Sequence, residues 1–252
     1  MLALKLFLVP AFLALISLAG RRWGPEVAGW LAGFPVLTGP IMFLLALERG
    51  PEFAAAATTV SLSAVLGIVV FVVTYARVCA RHSPVLSLLS GLAAWSCTAL
   101  LLTWLPLTPV ISLAIALLAL AAAPRLFPRV TGPIKSSVAL PKWELPLRML
   151  AGATLTLAVT ALAAVIGPAW SGMFAVFPIF AIVLSVFSQR ASGPAFATTL
   201  LRAMIWGLYA FTSFCITLAA LLPQQGLAVA FAGATAVAVM VQWALKSRLH
   251  RR

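Results

Sequence analysis

Long apolar runs follow one another along almost the whole chain, separated only by short polar, basic or Gly/Pro-rich stops. Each run is about 20 residues, the length a helix needs to cross a hydrocarbon core about 30 Å thick. The pattern predicts spans near residues 2–20, 27–48, 53–78, 84–104, 107–123, 145–166, 170–189, 195–221 and 226–245. The stops carry turn chemistry: Trp23-Gly24-Pro25, Gly50-Pro51, Ser83-Pro84, Leu105-Pro106, Gly167-Pro168, Gly193-Pro194 and Pro223-Gln224-Gln225-Gly226. The fifth run, between Pro106 and Pro124, is the shortest and sits at the lower limit for spanning.

Composition agrees with this pattern. The 252 residues are 63% hydrophobic and 8% charged, with a mean hydropathy of +1.14. A soluble domain of this make-up would lack the polar groups to cover itself. The expectation is an all-α integral membrane protein with about nine transmembrane helices. The first run, Leu2 to Ala19 with Lys5 ahead of its core, has the outline of a signal peptide. Arg21-Arg22 stand where a small-residue cleavage site would be, so it is read as a retained helix. Cys79, Cys97 and Cys215 lie in or at the ends of apolar runs without CxxC spacing, as packed thiols rather than a disulfide or metal framework.

Two halves of the chain align without a gap at an offset of 143 residues. Gly24-Pro25, Phe34-Pro35 and Gly50-Pro51 match Gly167-Pro168, Phe177-Pro178 and Gly193-Pro194; Gly29 matches Gly172, and Phe53-Ala54 matches Phe196-Ala197. This is an internal duplication. Charge then sets its sense. Of the 17 Lys and Arg, fourteen fall in alternate connections or the tail: Arg21, Arg22, Arg77, Arg81, Arg125, Arg129, Lys135, Lys142, Arg148, Arg190, Lys246, Arg248, Arg251 and Arg252. Nine spans put all of these on the cytoplasmic side, with the N-terminus outside and the C-terminus inside. An odd central span turns the second unit upside down. The expected plan is a 4+1+4 inverted repeat: residues 1–109 as the first unit, 110–143 as a linker holding most of the fifth span (which begins near 107) and a basic cytoplasmic loop, and 144–252 as the second unit. Inverted repeats organise many secondary transporters around a site near the bilayer midplane.

The candidate site follows from the breaks. Phe34-Pro35-Val36-Leu37-Thr38-Gly39-Pro40 interrupts the second span, and Phe177-Pro178 interrupts the seventh. Each proline removes a helical donor and disturbs the preceding turn. Backbone groups freed in this way need protein, water or a ligand inside a membrane. Paired interruptions at corresponding positions point to a transporter site, which makes Phe34, Pro35, Thr38, Gly39, Pro40, Phe177 and Pro178 candidate substrate-binding residues; simple kinks filled by a neighbouring helix are the competing reading. Arg202 stands within a span, where it either meets an anionic group or snorkels from the first turns of 195–221 to the interface. Glu48 and Arg49 form an outer-mouth pair, read either as helix-end charges or as a cation or proton site. Arg125, Arg129 and Lys135 in the basic loop suit phospholipid headgroups. Trp23, Trp104, Trp143 and Trp170 fall at span ends as interfacial anchors.

Absences narrow the function. The chain has no Asp and only Glu26, Glu48, Glu52 and Glu144, all near a surface, so no carboxylate serves as a central proton relay. His82 and His250 are isolated, no Walker-type loop is present, and neither a metal site, a cofactor nor an enzyme is expected. The net charge of +13 belongs to orientation and anionic lipid rather than nucleic acid. Ala28-Gly29, Phe34-Pro35 and Glu48-Arg49-Gly50 on adjacent helices resemble a run in the small four-span GlpM-like family of bacterial inner-membrane proteins. The second half keeps Gly172, Phe177-Pro178 and Gly193 but has Ala191-Ser192 where the first has Glu48-Arg49. The resemblance implies a fused, inverted pair of such units in a bacterial inner membrane; it supplies no substrate. The functional expectation is a transporter or lipid flippase with a site at the repeat interface, for an unidentified lipid or small-molecule substrate of anionic or amphiphilic character; the alternative is a non-transporting subunit scaffolding a cell-envelope assembly. The sequence leaves the oligomeric state open.

Overall fold

A computed structural model describes residues 2–35, 38–105, 108–130, 143–166 and 177–249. Its helices are α1 (Leu2–Trp23), α2 (Pro25–Gly33), α3 (Thr38–Arg49), α4 (Pro51–Ser63), α5 (Val65–Cys79), α6 (Pro84–Thr103), α7 (Pro109–Leu126), α8 (Glu144–Ile166), α9 (Ile179–Leu221) and α10 (Leu227–Leu249). The described residues form no strand. Eight stretches are long and apolar enough to cross a membrane. Among them α2 with α3, and α4 with α5, each form one such stretch, and Pro109–Leu126 qualifies despite its short length. Between the expected seventh and eighth spans, residues 179–221 hold two helical arms joined directly at Gly193, whose backbone is non-helical, and 167–176 lie outside the described residues. At 1.5 Å per residue a straight α9 would be about 65 Å long, twice the thickness of the hydrocarbon core.

Glycine chemistry explains how α9 fits. Gly24 (φ 91°, ψ 172°), Gly50 (φ 93°, ψ 162°) and Gly193 (φ 86°, ψ 174°) share one conformation, in a region only glycine enters at low cost. Each precedes a proline, which demands an extended residue before it and is pre-set for the first helical position. The Gly-Pro pair therefore ends one helix and starts the next with no loop between them. At Gly193 both arms return to the same neighbour. Gln189 Nε2 donates to the Cys79 carbonyl at 3.3 Å, and Thr198 Oγ1 lies 3.5 Å from Cys79 Sγ.

α9 is the centre of the bundle. It packs on α2, α4, α5, α7, α8 and α10, and Leu184, Leu200, Leu201, Ile205 and Leu218 are fully buried along it. Its crossing with α2 leaves no room for side chains. A Cβ at Gly29 would strike the Leu200 carbonyl, and one at Gly33 the Met204 carbonyl. One at Gly207 would lie 2.5 Å from the Trp30 carbonyl and 2.8 Å from Gly33 Cα. Gly29-x-x-x-Gly33 on α2 thus meets Ala203-x-x-x-Gly207 on α9 with backbone against backbone. Without a hydrophobic driving force between helices in lipid, such small-residue contact supplies the packing.

α1 and α8 cross antiparallel. Arg148 at the start of α8 donates from Nη1 to Ser17 Oγ at 3.3 Å near the end of α1. Further on, Gly152 packs on Val9 and Leu13. Basic groups collect at this end of the bundle: Arg77 Nε donates to the Leu126 carbonyl at 2.7 Å, and Lys246 lies 5.8 Å from the Trp30 ring centroid. The periphery is apolar, with Leu89, Val110, Leu118 and Val229 more than half exposed, a surface suited to lipid rather than water. Trp23, Trp104 and Trp143 are exposed at helix ends, and Trp170 lies outside the described residues.

Candidate functional site

The Phe34-Pro35 break separates two unlike half-helices. α2 before it is held on α9 through buried Ala28, Gly29, Ala32 and Gly33, whereas α3 after it buries only Met42 and Ala46. At the break Phe34 N–H donates to the Leu31 carbonyl at 3.2 Å, which tightens the last turn of α2, and Gly39 N–H donates to the Pro35 carbonyl at 3.0 Å. Pro35 lies about 15 Å along the chain axis from Pro25 at helical rise, half the thickness of a hydrocarbon core.

A cavity of about 460 Å³ opens beside this break, lined by Phe34, Pro35, Gly39, Pro40, Phe43, Phe214, Phe231, Thr235 and Ala238. Its volume falls in the range of roughly 300–1,000 Å³ typical of small-molecule sites. Aromatic rings frame it: Phe231 meets Phe43 edge-on at 5.2 Å between centroids and Phe214 at 6.4 Å. Thr235 carries the sole side-chain hydroxyl of this lining. The arrangement can hold an apolar body.

Four of the expected substrate-binding residues, Phe34, Pro35, Gly39 and Pro40, come together here. Thr38 begins α3 but is not part of the lining. Phe177 and Pro178 lie elsewhere: Pro178 is the N-cap of α9, and the Phe177 ring is met edge-on by Trp95 at 4.9 Å between centroids. Arg202 is separate from both. Its Nη2 donates to the Pro128 carbonyl at 2.8 Å, and its guanidinium lies 5.6 Å from the Phe127 centroid. It therefore reaches the chain leaving α7, while its Nε is buried without a hydrogen-bond partner. Glu48 and Arg49 are exposed at the far end of α3, where Arg49 stacks over Phe53 at 5.6 Å. Arg125 and Arg129 are exposed, and Lys135 lies outside the described residues.

Several groups that matter were not singled out by sequence. Phe214, Phe231, Thr235 and Ala238 complete the cavity from α9 and α10, which are remote in sequence from the break. The Gly29–Gly33 pair had a readable signal, a G-x-x-x-G inside an apolar span. Glu144 and Arg148, expected as surface charges at the start of the sixth span, form a buried pair in α8, with Arg148 Nε donating to Glu144 Oε1 at 3.0 Å. A second buried polar cluster links α5 to α9: Tyr75 donates to Gln189 Oε1 at 2.7 Å, and Gln189 Nε2 donates to the His82 carbonyl at 2.9 Å. Cys79 and Cys215 are buried and Cys97 is exposed, all as free thiols. Among the described residues no group of His, Cys, Asp and Glu could hold a metal ion. Compared with models of protein families, with curated proteins and with solved structures, the chain matches none.

Proposed function

We propose that this protein is a membrane transporter of the lipid-flippase type, which holds an amphiphile beside the broken second span and passes it between leaflets. The observation that carries the reading is the apolar cavity at a mid-depth helix break, where an anchored half-helix, α2, meets a loosely held one, α3. Movement of α3 about the Phe34–Pro35 segment changes the cavity mouth while the α2–α9 crossing stays fixed. The apolar lining favours an amphiphile over a small hydrophilic anion.

The same reading takes the chain as two inverted units of four spans around a central fifth, nine in all, in a bacterial inner membrane and related to GlpM-like proteins. Its N-terminus is outside and its C-terminus cytoplasmic. Three features support this. Gly50 and Gly193, equivalent at the 143-residue offset, have the same rare conformation. Val9 and Gly152, also equivalent, meet where α1 and α8 cross antiparallel; a two-fold axis in the membrane plane requires such a self-paired contact. Arg77, Arg148, Arg202 and Lys246 gather at one end, which the positive-inside rule makes cytoplasmic.

The test is dithionite bleaching of a fluorescent, nitrobenzoxadiazole-labelled phospholipid in vesicles containing the purified protein. Wild type should expose the inner-leaflet dye to bleaching. Gly39→Phe should not, because a Cβ at Gly39 meets only Phe214 at 3.8 Å and a ring there enters the cavity rather than the backbone. Wild-type vesicles that bleach no further than protein-free ones would overturn the reading.

A further inference from the structure

We infer that the protein has a lipid-chain site on the Phe34-Pro35 side, and that Trp95 is a built-in plug that fills the equivalent place in the other half. The inference deepens the reading of that break as the transport site and rests on it. Its starting point is the 143-residue offset applied to the cavity. Phe34 corresponds to Phe177, Phe214 to Phe71, and Ala238 to Trp95. In the first set, Phe34, Phe214 and Ala238 surround open space. In the second, the Trp95 indole packs edge-on against Phe177 and lies 3.1–3.2 Å from where a Cβ on Gly67 would stand. Trp95 is 6% exposed. One half thus places a methyl where the other places an indole, and the cavity is the volume that the missing ring leaves.

The residues after the breaks differ in the same direction. Gly39 and Pro40 are replaced at the offset by Ile182 and Val183, both buried in α9. The α3 segment following the first break buries only Met42 and Ala46. An occupant can therefore enter at the first break, and the protein's own side chains have taken its position at the second.

The occupant is an acyl chain of a membrane phospholipid. The filled copy shows that an apolar, carbon-rich body completes this packing. The open copy has its mouth at Phe43 and Thr235, both exposed, on spanning helices where lipid chains are the surrounding medium. Along α10 one face carries Phe231, Thr235, Ala238, Gln242 and Lys246 at helical spacing. Lys246 stands eight residues beyond Ala238 at the basic end, about 12 Å by helical rise, close to the half-thickness of a hydrocarbon core. A chain end in the cavity and a phosphate near Lys246 span the distance from midplane to headgroup. Gln242, between them, has a buried Oε1 without a hydrogen-bond partner.

Photo-crosslinking tests this with the full-length protein in phosphatidylcholine vesicles doped with a phosphatidylcholine bearing a diazirine in its acyl chain. Adducts on wild type should concentrate on residues 34, 35, 39–43, 214 and 231–238. Ala238→Trp should lower that labelling by at least about tenfold, which corresponds to about 1.4 kcal/mol of lost occupancy. Trp95→Ala should create a second cluster around Phe71 and Phe177. Size-exclusion elution matching wild type establishes that each variant is folded; if Ala238→Trp fails there, the gain of a cluster in Trp95→Ala decides alone. Labelling spread evenly over α6, α8 and α10, or an unchanged pattern in folded Ala238→Trp, or no second cluster in folded Trp95→Ala, would overturn the inference. Focused labelling without dithionite-detected flipping would uphold the lipid site and reject transport, whereas flipping with diffuse labelling would do the reverse.

Discussion

Gly207→Leu should leave almost no protein that elutes as a single folded species after detergent extraction. The crossing of α2 on α9 has no room for a side chain: a Cβ at Gly207 lies 2.5 Å from the Trp30 carbonyl and 2.8 Å from Gly33 Cα, with backbone rather than flexible side chain in the way. Relief requires the two helices to separate. That would undo the contact that replaces the hydrophobic effect between helices in lipid. Even Gly207→Ala should cost about 1–3 kcal/mol by overpacking, seen as a lower midpoint in a detergent thermal-unfolding assay. Gly33→Ala should behave the same way, because its Cβ would meet the facing Met204 carbonyl. Gly226→Ala is the control, as nothing lies within 4 Å of its Cβ, and its midpoint should match wild type. A tolerated Gly207→Leu would mean that α2 is not anchored as described.

The second large effect concerns Glu144→Gln. Glu144 and Arg148 are both about 5% exposed, and their pair is extended by Ser17 on α1 and by the Phe187 ring 5.6 Å from the guanidinium. Removing the carboxylate strands a buried cation at the junction of α1, α8 and α9. Breaking one side of a buried pair typically costs about 3–5 kcal/mol. The thermal midpoint should fall steeply. The double variant Glu144→Gln with Arg148→Met should recover much of the loss, because it removes the stranded charge along with its partner. If the double variant is no better than the single, the pair contributes packing or hydrogen bonding rather than charge compensation.

The legible parts of this molecule are those written in local chemistry. Runs of apolar residues gave the helices, and Gly-Pro pairs placed the reversals at 24, 50 and 193, since only glycine tolerates the turn and proline starts the next helix. Pro35 marked the break for the same local reason. What the sequence did not disclose is which surfaces meet. Phe214, Phe231 and Ala238 reach the break only because α9 and α10 fold back on it, and no local pattern encodes that. Glu144 and Arg148 looked like surface charges because hydropathy weighs each charge as exposed, yet i,i+4 spacing lets them neutralise one another inside a helix. The asymmetry of the two breaks was in the sequence as Ala238 against Trp95. It acquired meaning only when the ring was seen against Phe177.

The most direct measurement closes the cavity mouth reversibly in one folded protein. Phe43 and Phe231, both in the cavity lining, meet edge-on with 5.2 Å between ring centroids. In a Cys97→Ser background, Phe43→Cys and Phe231→Cys would be bridged in vesicles with a short bis-methanethiosulfonate reagent. The account predicts that phospholipid movement between leaflets stops on bridging and returns when reductant releases the bridge. Movement that continues at the same rate with the bridge in place would contradict it.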